Sequence, residues 1–299
     1  MAGKKIITVL GATGAQGGSV ASALLKDCSF AVRAVTRDVS KPAAEKLRKA
    51  GAEVVAADMN DEKSLSAALN GAYGAFVVTN FFEHNSKEKE AAQGKRIADL
   101  CKKHGLKHVV FSSLENVHKL TGGKLQVQHF DGKGEAEEYF REIHVPMTSV
   151  RVAFYFENFL TVSKPHKSQD GKTYQLVIPM GNVPMDGISV ADLGGVVRSI
   201  FQKPSEYIGK DIGVSAEKLT IKQYAETMSK VSGKNIVDSQ ITPEAYERLG
   251  FPGAEELANM FRYYQMVPHR DVKLTHKLNP DSKNFLQFAE SKKKDIQDL

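Results

Sequence analysis

Three glycines at regular spacing are the first residues of this chain whose types suggest chemistry. Gly11, Gly14 and Gly17 lie in the segment Gly-Ala-Thr-Gly-Ala-Gln-Gly, between an apolar run and a helical pattern. That context is the one a dinucleotide-binding turn requires. Glycine lets the backbone approach a pyrophosphate, and the following helix N-terminus offers N–H groups and partial positive charge. A strand-to-helix turn without a ligand is the alternative, but residues downstream favour a dinucleotide.

Two basic residues indicate which dinucleotide is preferred. Arg37 lies twenty residues beyond Gly17, and Lys41 follows one helical turn later. Sites that prefer NAD place an acidic residue near this point to hold the ribose 2′-hydroxyl. A guanidinium suits a 2′-phosphate and has no acceptor for a hydroxyl. We therefore expect NADP(H); two solvent-facing cations are the alternative.

A third motif concerns the proton donor. Active members of the short-chain dehydrogenase/reductase superfamily, which this chain resembles, carry Tyr-x-x-x-Lys on the helix after the fifth strand. Here the matching stretch is His129-Phe130-Asp131-Gly132-Lys133, which keeps the lysine without the tyrosine. His129 is a weak catalytic candidate, because a nearby ammonium disfavours the imidazolium. A structural role is favoured for His129, and we expect Lys133 to bind the nicotinamide ribose.

Ser113 is the second weak catalytic candidate. It follows Ser112 at the end of the fifth predicted strand, where the superfamily carries a serine. Hydroxyls at such a point also serve as cap and turn residues. Without the tyrosine, the serine is weak support for catalysis.

The elements that position these residues alternate between strand and helix. Gly51, Gly71 and Gly105 each follow a helical stretch, where a C-terminal cap needs positive φ. Such alternation predicts an α/β Rossmann fold, with a doubly wound parallel sheet and a smaller α-rich C-terminal lobe. The predicted strands are 6–10, 32–36, 53–57, 75–78, 108–111 and 147–150, and the predicted helices are 16–26, 41–50, 62–69, 87–104 and 135–143. Gly132 and Gly134 are expected to loosen the start of the last helix.

The alternation weakens after Arg151. We predict an NADP-binding Rossmann domain over residues 1–152, to which some later segments contribute. Residues 153–299 are predicted to form a smaller lobe on the side of the substrate or partner.

Composition limits the partner classes. The net charge is +6, but the basic residues are dispersed and no aromatic residues alternate with them, so nucleic-acid binding is not expected. No apolar run approaches the ~20 residues of a membrane helix. Cys28 and Cys101 form no metal-type pattern, and we expect no metal and a reducing compartment.

Longer strings resemble the NmrA-like family, and among its members those of animals, over essentially the whole chain. They include residues 11–20, Leu-Asn-Gly-Ala-Tyr at 69–73 and His-Phe-Asp-Gly-Lys-Gly at 129–134. Others are residues 145–151, Tyr-Phe-Glu-Asn at 155–158, 183–187 and 250–254.

The resemblance implies a set of cofactor-binding residues. One departure is Ala92, where the family is expected to carry a lysine near the cofactor. The aromatic residues near Tyr155 have an alternative role as a core stripe. The implied set is Gly11, Ala12, Thr13, Gly14, Ala15, Gln16, Gly17, Arg37, Lys41, Asp58, Met59, Thr79, Asn80, Phe81, Lys133, Tyr155, Phe156, Glu157 and Asn158.

The resemblance also implies a function. It implies a homodimeric redox sensor that binds NADP(H) and changes its oligomeric state and partners with the NADPH/NADP ratio. The animal members are similar to regulators that bind argininosuccinate synthase and restrain NF-κB signalling, which implies a cytoplasmic, perinuclear and nuclear location. The alternative is an NADPH-dependent reductase of a small carbonyl or enone substrate.

Overall fold

The computed structural model describes residues 3–168 and 171–299, and the chain divides into two compact units. The first unit holds the chain through Asn116, then Gln128–Arg151 and Val190–Ile212. The second holds Val117–Val127, Val152–Ser189 and Gly213–Leu299. The domain boundary predicted between residues 152 and 153 stays a prediction.

Strands and helices alternate through β5, and two helices then precede β6. The strands are β1 Lys5–Val9, β2 Phe30–Thr36, β3 Glu53–Ala56, β4 Gly74–Val77, β5 His108–Ser113 and β6 Met147–Val152. The helices are α1 Ala15–Asp27, α2 Pro42–Lys49, α3 Glu62–Leu69, α4 Lys87–Lys103, α5 Val117–Leu120 and α6 Gln128–Glu142, with a 3₁₀ turn at Phe81–Glu83.

Shorter elements follow. The strands are β7 Phe154–Tyr155, β8 His166–Lys167, β9 Thr173–Leu176, β10 Met185–Ile188, β11 Asp211–Val214, β12 Glu217–Leu219 and β13 Asn235–Asp238. The helices are α7 Leu193–Gln202, α8 Pro204–Tyr207, α9 Ile221–Ser232, α10 Pro243–Glu247, α11 Ala254–Gln265, α12 Val272–Leu278, α13 Phe285–Ser291 and α14 Lys293–Gln297. Two 3₁₀ turns lie at Phe156–Leu160 and Val190–Asp192.

A seven-stranded sheet with the order β11-β6-β5-β4-β1-β2-β3 is the centre of the Rossmann fold. From β6 to β3, neighbouring strands pair in parallel. The chain passes from β1 to β2 on one side and later returns to β4 on the other. Ligands of open α/β sheets bind at the carboxyl ends of the strands beside such a reversal. The predicted doubly wound α/β fold is confirmed.

Near-continuous apolar runs explain why this sheet forms in the interior. Ile7, Val9, Phe76, Val109 and Val110 are fully buried. Helices cover both faces of a parallel sheet, so its strands require apolar residues at almost every position. This burial fixes the strand ends, and with them the loops that carry the candidate site.

The three glycines expected at helix C-termini have the expected backbone. Their φ angles are 100° at Gly51, 70° at Gly71 and 63° at Gly105. A side chain at such an angle is strained, so glycine allows the chain to leave each helix towards the next strand.

The predicted start of the helix that forms α6 is wrong. Residues 135–143 were expected to be helical, with Gly132 and Gly134 loosening the start, but α6 begins at Gln128. Both glycines lie at close approaches. A Cβ at Gly132 would lie 2.9 Å from Glu90 Cβ, and one at Gly134 would lie 2.5 Å from the Asn116 backbone nitrogen. Tertiary packing here outweighs the low helix propensity of glycine.

The second unit is α-rich towards its C-terminus, as predicted. It contains two three-stranded sheets, with the orders β12-β10-β7 and β13-β9-β8. Its core is an aromatic cluster whose ring centroids lie 4.7–5.4 Å from their nearest partners: Phe154, Phe156, Phe159, Tyr224, Phe285 and Phe288. The aromatic stripe that was the alternative for residues 154–159 is therefore present.

The sequence predicts neither a membrane-spanning helix nor a metal site. No helix among residues 3–168 and 171–299 is long and apolar enough to cross a membrane. Over that part of the chain, no group of three or more histidine, cysteine, aspartate or glutamate side chains is placed to hold a metal ion.

Candidate dinucleotide site

The glycine turn lies at the carboxyl end of β1. Gly11 has a φ of 62°, and the Ala12 amide donates to Val35 O at 3.0 Å, which joins the turn to β2. The hydroxyls of Thr13 and Thr36 lie 3.2 Å apart. A Cβ on Gly17 would lie 2.2 Å from Gly11 O, so only glycine permits this close approach of helix to turn.

The N-terminus of α1 fits an anionic group. In the described chain no side chain caps this helix, and its first turn, which includes Ala15 and Gln16, contains no acidic residue. By contrast, side chains of Asp61, Ser86 and Thr220 cap α3, α4 and α9. The first amides of a helix need acceptors, and its dipole favours negative charge. A pyrophosphate supplies both, so this helix end fits a dinucleotide.

Arg37 lies directly after β2 and contacts an acidic side chain. Its two Nη atoms donate to the carboxylate of Glu83, at 2.6 Å and 3.1 Å. The side chains are 60% and 40% exposed, so solvent and ligands reach the pair. Lys41, the exposed N-cap residue of α2, lies four residues on. The arginine predicted to bind a 2′-phosphate thus lies at the carboxyl edge of the sheet, and its guanidinium is already paired with a carboxylate.

Asp58 and Met59 follow β3. Asp58 Oδ1 accepts from the Asn60 amide at 2.8 Å, and Met59 O accepts from Arg96 Nη1 at 2.9 Å. The Met59 side chain is partly buried against the core. These contacts give both residues structural roles in the loop, and their predicted cofactor contacts stay predictions.

Thr79, Asn80 and Phe81 follow β4. Thr79 and Phe81 are buried, at 5% and 6% exposed, whereas Asn80 is exposed. Because β4 pairs in parallel with β1, these three residues lie at the sheet edge where the glycine turn begins.

Lys133 projects to the end of β4 and contacts a buried carboxylate. Its Nζ donates to Thr79 Oγ1 at 2.8 Å, to Thr79 O at 2.9 Å, and to Glu90 Oε1. The Lys133 side chain is 11% exposed and Glu90 is fully buried. Burial lowers the pKa of the Lys133 ammonium, while the attraction of Glu90 opposes this shift. The Thr79 hydroxyl donates to the same carboxylate at 2.6 Å.

His84 approaches the other oxygen of Glu90. Its Nδ1 accepts from the Ser86 amide at 3.2 Å, which leaves the ring proton on Nε2 in the neutral form. Nε2 lies 3.6 Å from Glu90 Oε2, beyond hydrogen-bond distance. Within the described chain neither of these two atoms has a hydrogen-bond partner. Glu90 is therefore strongly held on one oxygen only.

His129 lies on α6 one turn before Lys133. It is 7% exposed, and its ring lies 5.8 Å, 5.6 Å and 4.7 Å from the rings of Phe81, Phe82 and Phe130. This aromatic packing agrees with the structural role favoured from the sequence.

Ser113 is 1% exposed and donates to carbonyls. Its hydroxyl lies 3.2 Å from Leu114 O and 3.3 Å from Lys133 O. Burial raises the pKa of the nearby Glu137, but Arg151 with the hydroxyls of Ser149 and Ser113 outweighs it and holds that pKa below its ordinary value. The serine hydroxyl thus links the end of β5 to α6, and its catalytic role stays a weak prediction.

Tyr155, Phe156, Glu157 and Asn158 lie in the second unit. Phe156 is fully buried in the aromatic cluster, and Glu157 Oε1 accepts from the Ser189 hydroxyl at 2.6 Å. Their cofactor contacts, implied by the resemblance, stay predictions.

Comparison with known proteins identifies the family. The profile of the NmrA-like family matches residues 3–289. The chain belongs to the NmrA-like family. It is 33% identical to an NmrA-like family domain-containing oxidoreductase of a Cladobotryum species, over 89% of this chain and 85% of that one. It is 30% identical to NmrA-like family domain-containing protein 1 of Rattus norvegicus, over 91% and 87%.

Solved structures agree on the fold. NmrA, described as a negative transcriptional regulator in complex with NADP, has a TM-score of 0.82 at 23% identity, covering 96% of this chain and 94% of that one. A quinone oxidoreductase of Escherichia coli complexed with NADPH has a TM-score of 0.78 at 21% identity, covering 96% and 98%.

Two residues of this NmrA-like chain were missed from the sequence. Glu83 contacts Arg37 and Glu90 contacts Lys133, two of the three cations predicted to bind the cofactor. The charged run around Glu90 is typical of a solvated helix face, yet Gln93, Gly94 and Ile97 share its buried side of α4. Helical spacing from these residues is the signal that marks Glu90 as buried. Ala92, the departure from the family pattern, is exposed on the same helix.

Proposed function

We propose that this chain is an NADP(H)-binding redox sensor that regulates partner proteins rather than a reductase. The observation that carries the proposal is a dinucleotide-type helix end beside a catalytic position without a tyrosine. At that position His129 packs among phenylalanine rings, while Lys133 is kept and bound by Glu90 and Thr79.

NADP(H) rather than NAD(H) is the proposed ligand. The uncapped α1 N-terminus would bind the pyrophosphate, and Arg37 with Lys41 would bind the 2′-phosphate. Lys133 would bind the nicotinamide ribose. When bound, the cofactor supplies a hydride, or its oxidation state alone serves as the signal. Complexes of NmrA with NADP and with NAD, and of a quinone oxidoreductase with NADPH, support a nicotinamide dinucleotide. The preference for the 2′-phosphate rests on Arg37 and Lys41.

Regulation requires that the cofactor bind one state of the protein more tightly than another, since only a difference in affinity shifts an equilibrium. We propose a homodimer whose assembly and contacts respond to NADPH. By family resemblance, its partners are argininosuccinate synthase and proteins of NF-κB signalling, and its location is cytoplasmic, perinuclear and nuclear. A relative named as a transcriptional regulator supports a regulatory role.

The second candidate is an NADPH-dependent reductase of a small carbonyl or enone. The buried Lys133 favours it, because burial lowers the pKa of the ammonium and so makes this group a stronger proton donor. Relatives named as oxidoreductases also support it.

Calorimetric titration of NADPH, NADP, NADH and NAD tests the ligand assignment. We expect wild type to prefer the phosphorylated pair, and Arg37→Ala to lose about tenfold or more in NADPH affinity while NADH changes little. Arg48→Ala, an exposed arginine on α2, is the matched control. Equal binding of NADPH and NADH by wild type would contradict the assignment.

Turnover separates the two candidates. Steady oxidation of NADPH by a quinone or enone, abolished in His129→Ala with cofactor binding retained, would establish the reductase. The sensor proposal predicts no oxidation above the rate without protein.

A further inference from the structure

The pair between Arg37 and Glu83 is formed by residues far apart in the chain. Both Nη atoms of the arginine donate to the two oxygens of one carboxylate, across a separation of 46 residues. Two parallel bonds of this kind are the strongest way in which a guanidinium binds an anion. The contact is therefore a specific one rather than a chance approach of two surface charges.

The location of the pair ties it to the candidate site. Arg37 follows the last residue of β2, and Glu83 ends the 3₁₀ turn after β4. These two strands flank β1, whose carboxyl end begins the glycine turn. The ion pair thus joins the loops on either side of the turn that would bind the dinucleotide.

A carboxylate and a phosphate bind a guanidinium with the same geometry. Glu83 engages both Nη atoms, so a phosphate that binds the same fork must displace it or share one cation with it. Sharing places two anions side by side, which is unfavourable at this distance. Both side chains are partly exposed, so displacement needs no rearrangement of the core.

We propose that Glu83 is a specificity-determining residue that competes with the cofactor 2′-phosphate for Arg37. The inference rests on the proposed function, since it needs Arg37 to be the phosphate ligand. Glu83 weakens binding of every ligand that carries the 2′-phosphate and leaves ligands without it unaffected. It thereby narrows the preference for NADP(H) over NAD(H) and sets the concentration at which the phosphorylated cofactors bind.

The test uses adenosine 2′,5′-bisphosphate and adenosine 5′-monophosphate, which differ only in the 2′-phosphate. Both are titrated calorimetrically into the full chain as wild type and Glu83→Gln, which keeps the shape and removes the charge. We expect the variant to bind the bisphosphate about three- to tenfold more tightly, given the modest strength of exposed ion pairs. Its affinity for the monophosphate should stay within about twofold.

Three further variants make the test specific. Glu45→Gln removes a similarly exposed carboxylate that pairs with Arg48, and it should change neither affinity. Glu83→Asp keeps the charge with a shorter reach and should fall between wild type and Glu83→Gln. In an Arg37→Ala background, Glu83→Gln should lose most of its effect. Thermal melting confirms that each variant is folded.

The outcomes separate this inference from the proposed function. If wild type binds the bisphosphate no better than the monophosphate, the 2′-phosphate assignment fails, and the role of Glu83 fails with it. If wild type prefers the bisphosphate but Glu83→Gln leaves that preference unchanged or reduces it, only the competition is overturned. Tighter bisphosphate binding in Glu83→Gln and not in Glu45→Gln supports it.

Discussion

At the scale of single residues, two carboxylates contact two of the three cations expected to bind the cofactor. Glu83 binds Arg37 at a partly exposed position, and Glu90 binds Lys133 in the interior. The two pairs have different consequences, because solvent screens the first and not the second. Glu83 is therefore expected to affect ligand affinity, and Glu90 to affect the folded structure that holds Lys133 in place.

Glu90→Gln tests the buried pair. Removing its charge leaves the Lys133 ammonium in the interior without a counter-charge, and we expect a loss of about 3 kcal/mol in the free energy of unfolding. The double variant Glu90→Gln/Lys133→Met has no buried charge and should regain most of that loss. Urea denaturation measures the stability. Because the double variant lacks Lys133, its affinity for NADPH should stay below that of wild type, which calorimetric titration measures. A single variant as stable as wild type would contradict this account.

At the scale of the site, the glycine turn and Arg37 could be predicted from the sequence because both depend on local position. Each lies within two residues of a strand end, so locating β1 and β2 locates the residues. Glu83 and Glu90 could not be predicted in this way, since their partners are 46 and 43 residues distant. Their roles depend on how β4, α4 and α6 pack.

At the scale of elements too, predictions that depend on local sequence are correct, and the one that depends on packing between distant elements is not. The strands β1 to β6 and the caps at Gly51, Gly71 and Gly105 follow from apolar runs and glycine positions. The start of α6 was predicted wrongly because two glycines disfavour a helix locally, whereas close packing requires them: Gly132 lies against Glu90 on α4, and Gly134 lies against the Asn116 backbone. Gly94 also lies in the contact of α4 with α6, and a Cβ there would lie 2.4 Å from Ala136 Cβ.

Gly94→Ala tests whether close contact of α4 and α6 explains the glycine at position 94. Overpacking at this point should cost about 1–3 kcal/mol of unfolding free energy. Gly94→Ala/Ala136→Gly moves the methyl group from one helix to the other and should lie within about 1 kcal/mol of wild type. Chemical denaturation of the three proteins measures both effects. If the single substitution were neutral or stabilising, the contact would not be the reason for glycine.

At the scale of the whole molecule, a seven-stranded Rossmann sheet of the NmrA-like family supports both binding and catalysis. A fold does not specify a function, so the decision depends on the site. The missing tyrosine, the packed His129 and the buried Ser113 favour the proposed NADP(H) sensor over an NADPH-dependent reductase. Such a protein must change its assembly or its contacts when the cofactor changes.

Light scattering of the full chain, alone and saturated with NADP or NADPH, tests this central claim most directly. Saturation is set from the calorimetric affinities, and Arg37→Ala at the same cofactor concentrations is the control. The account predicts that the average mass or hydrodynamic radius differs between the NADPH-bound chain and the NADP-bound chain, and that Arg37→Ala reduces the difference. Identical mass and radius in all three samples, with tight binding and NADPH turnover, would contradict the sensor and support a reductase.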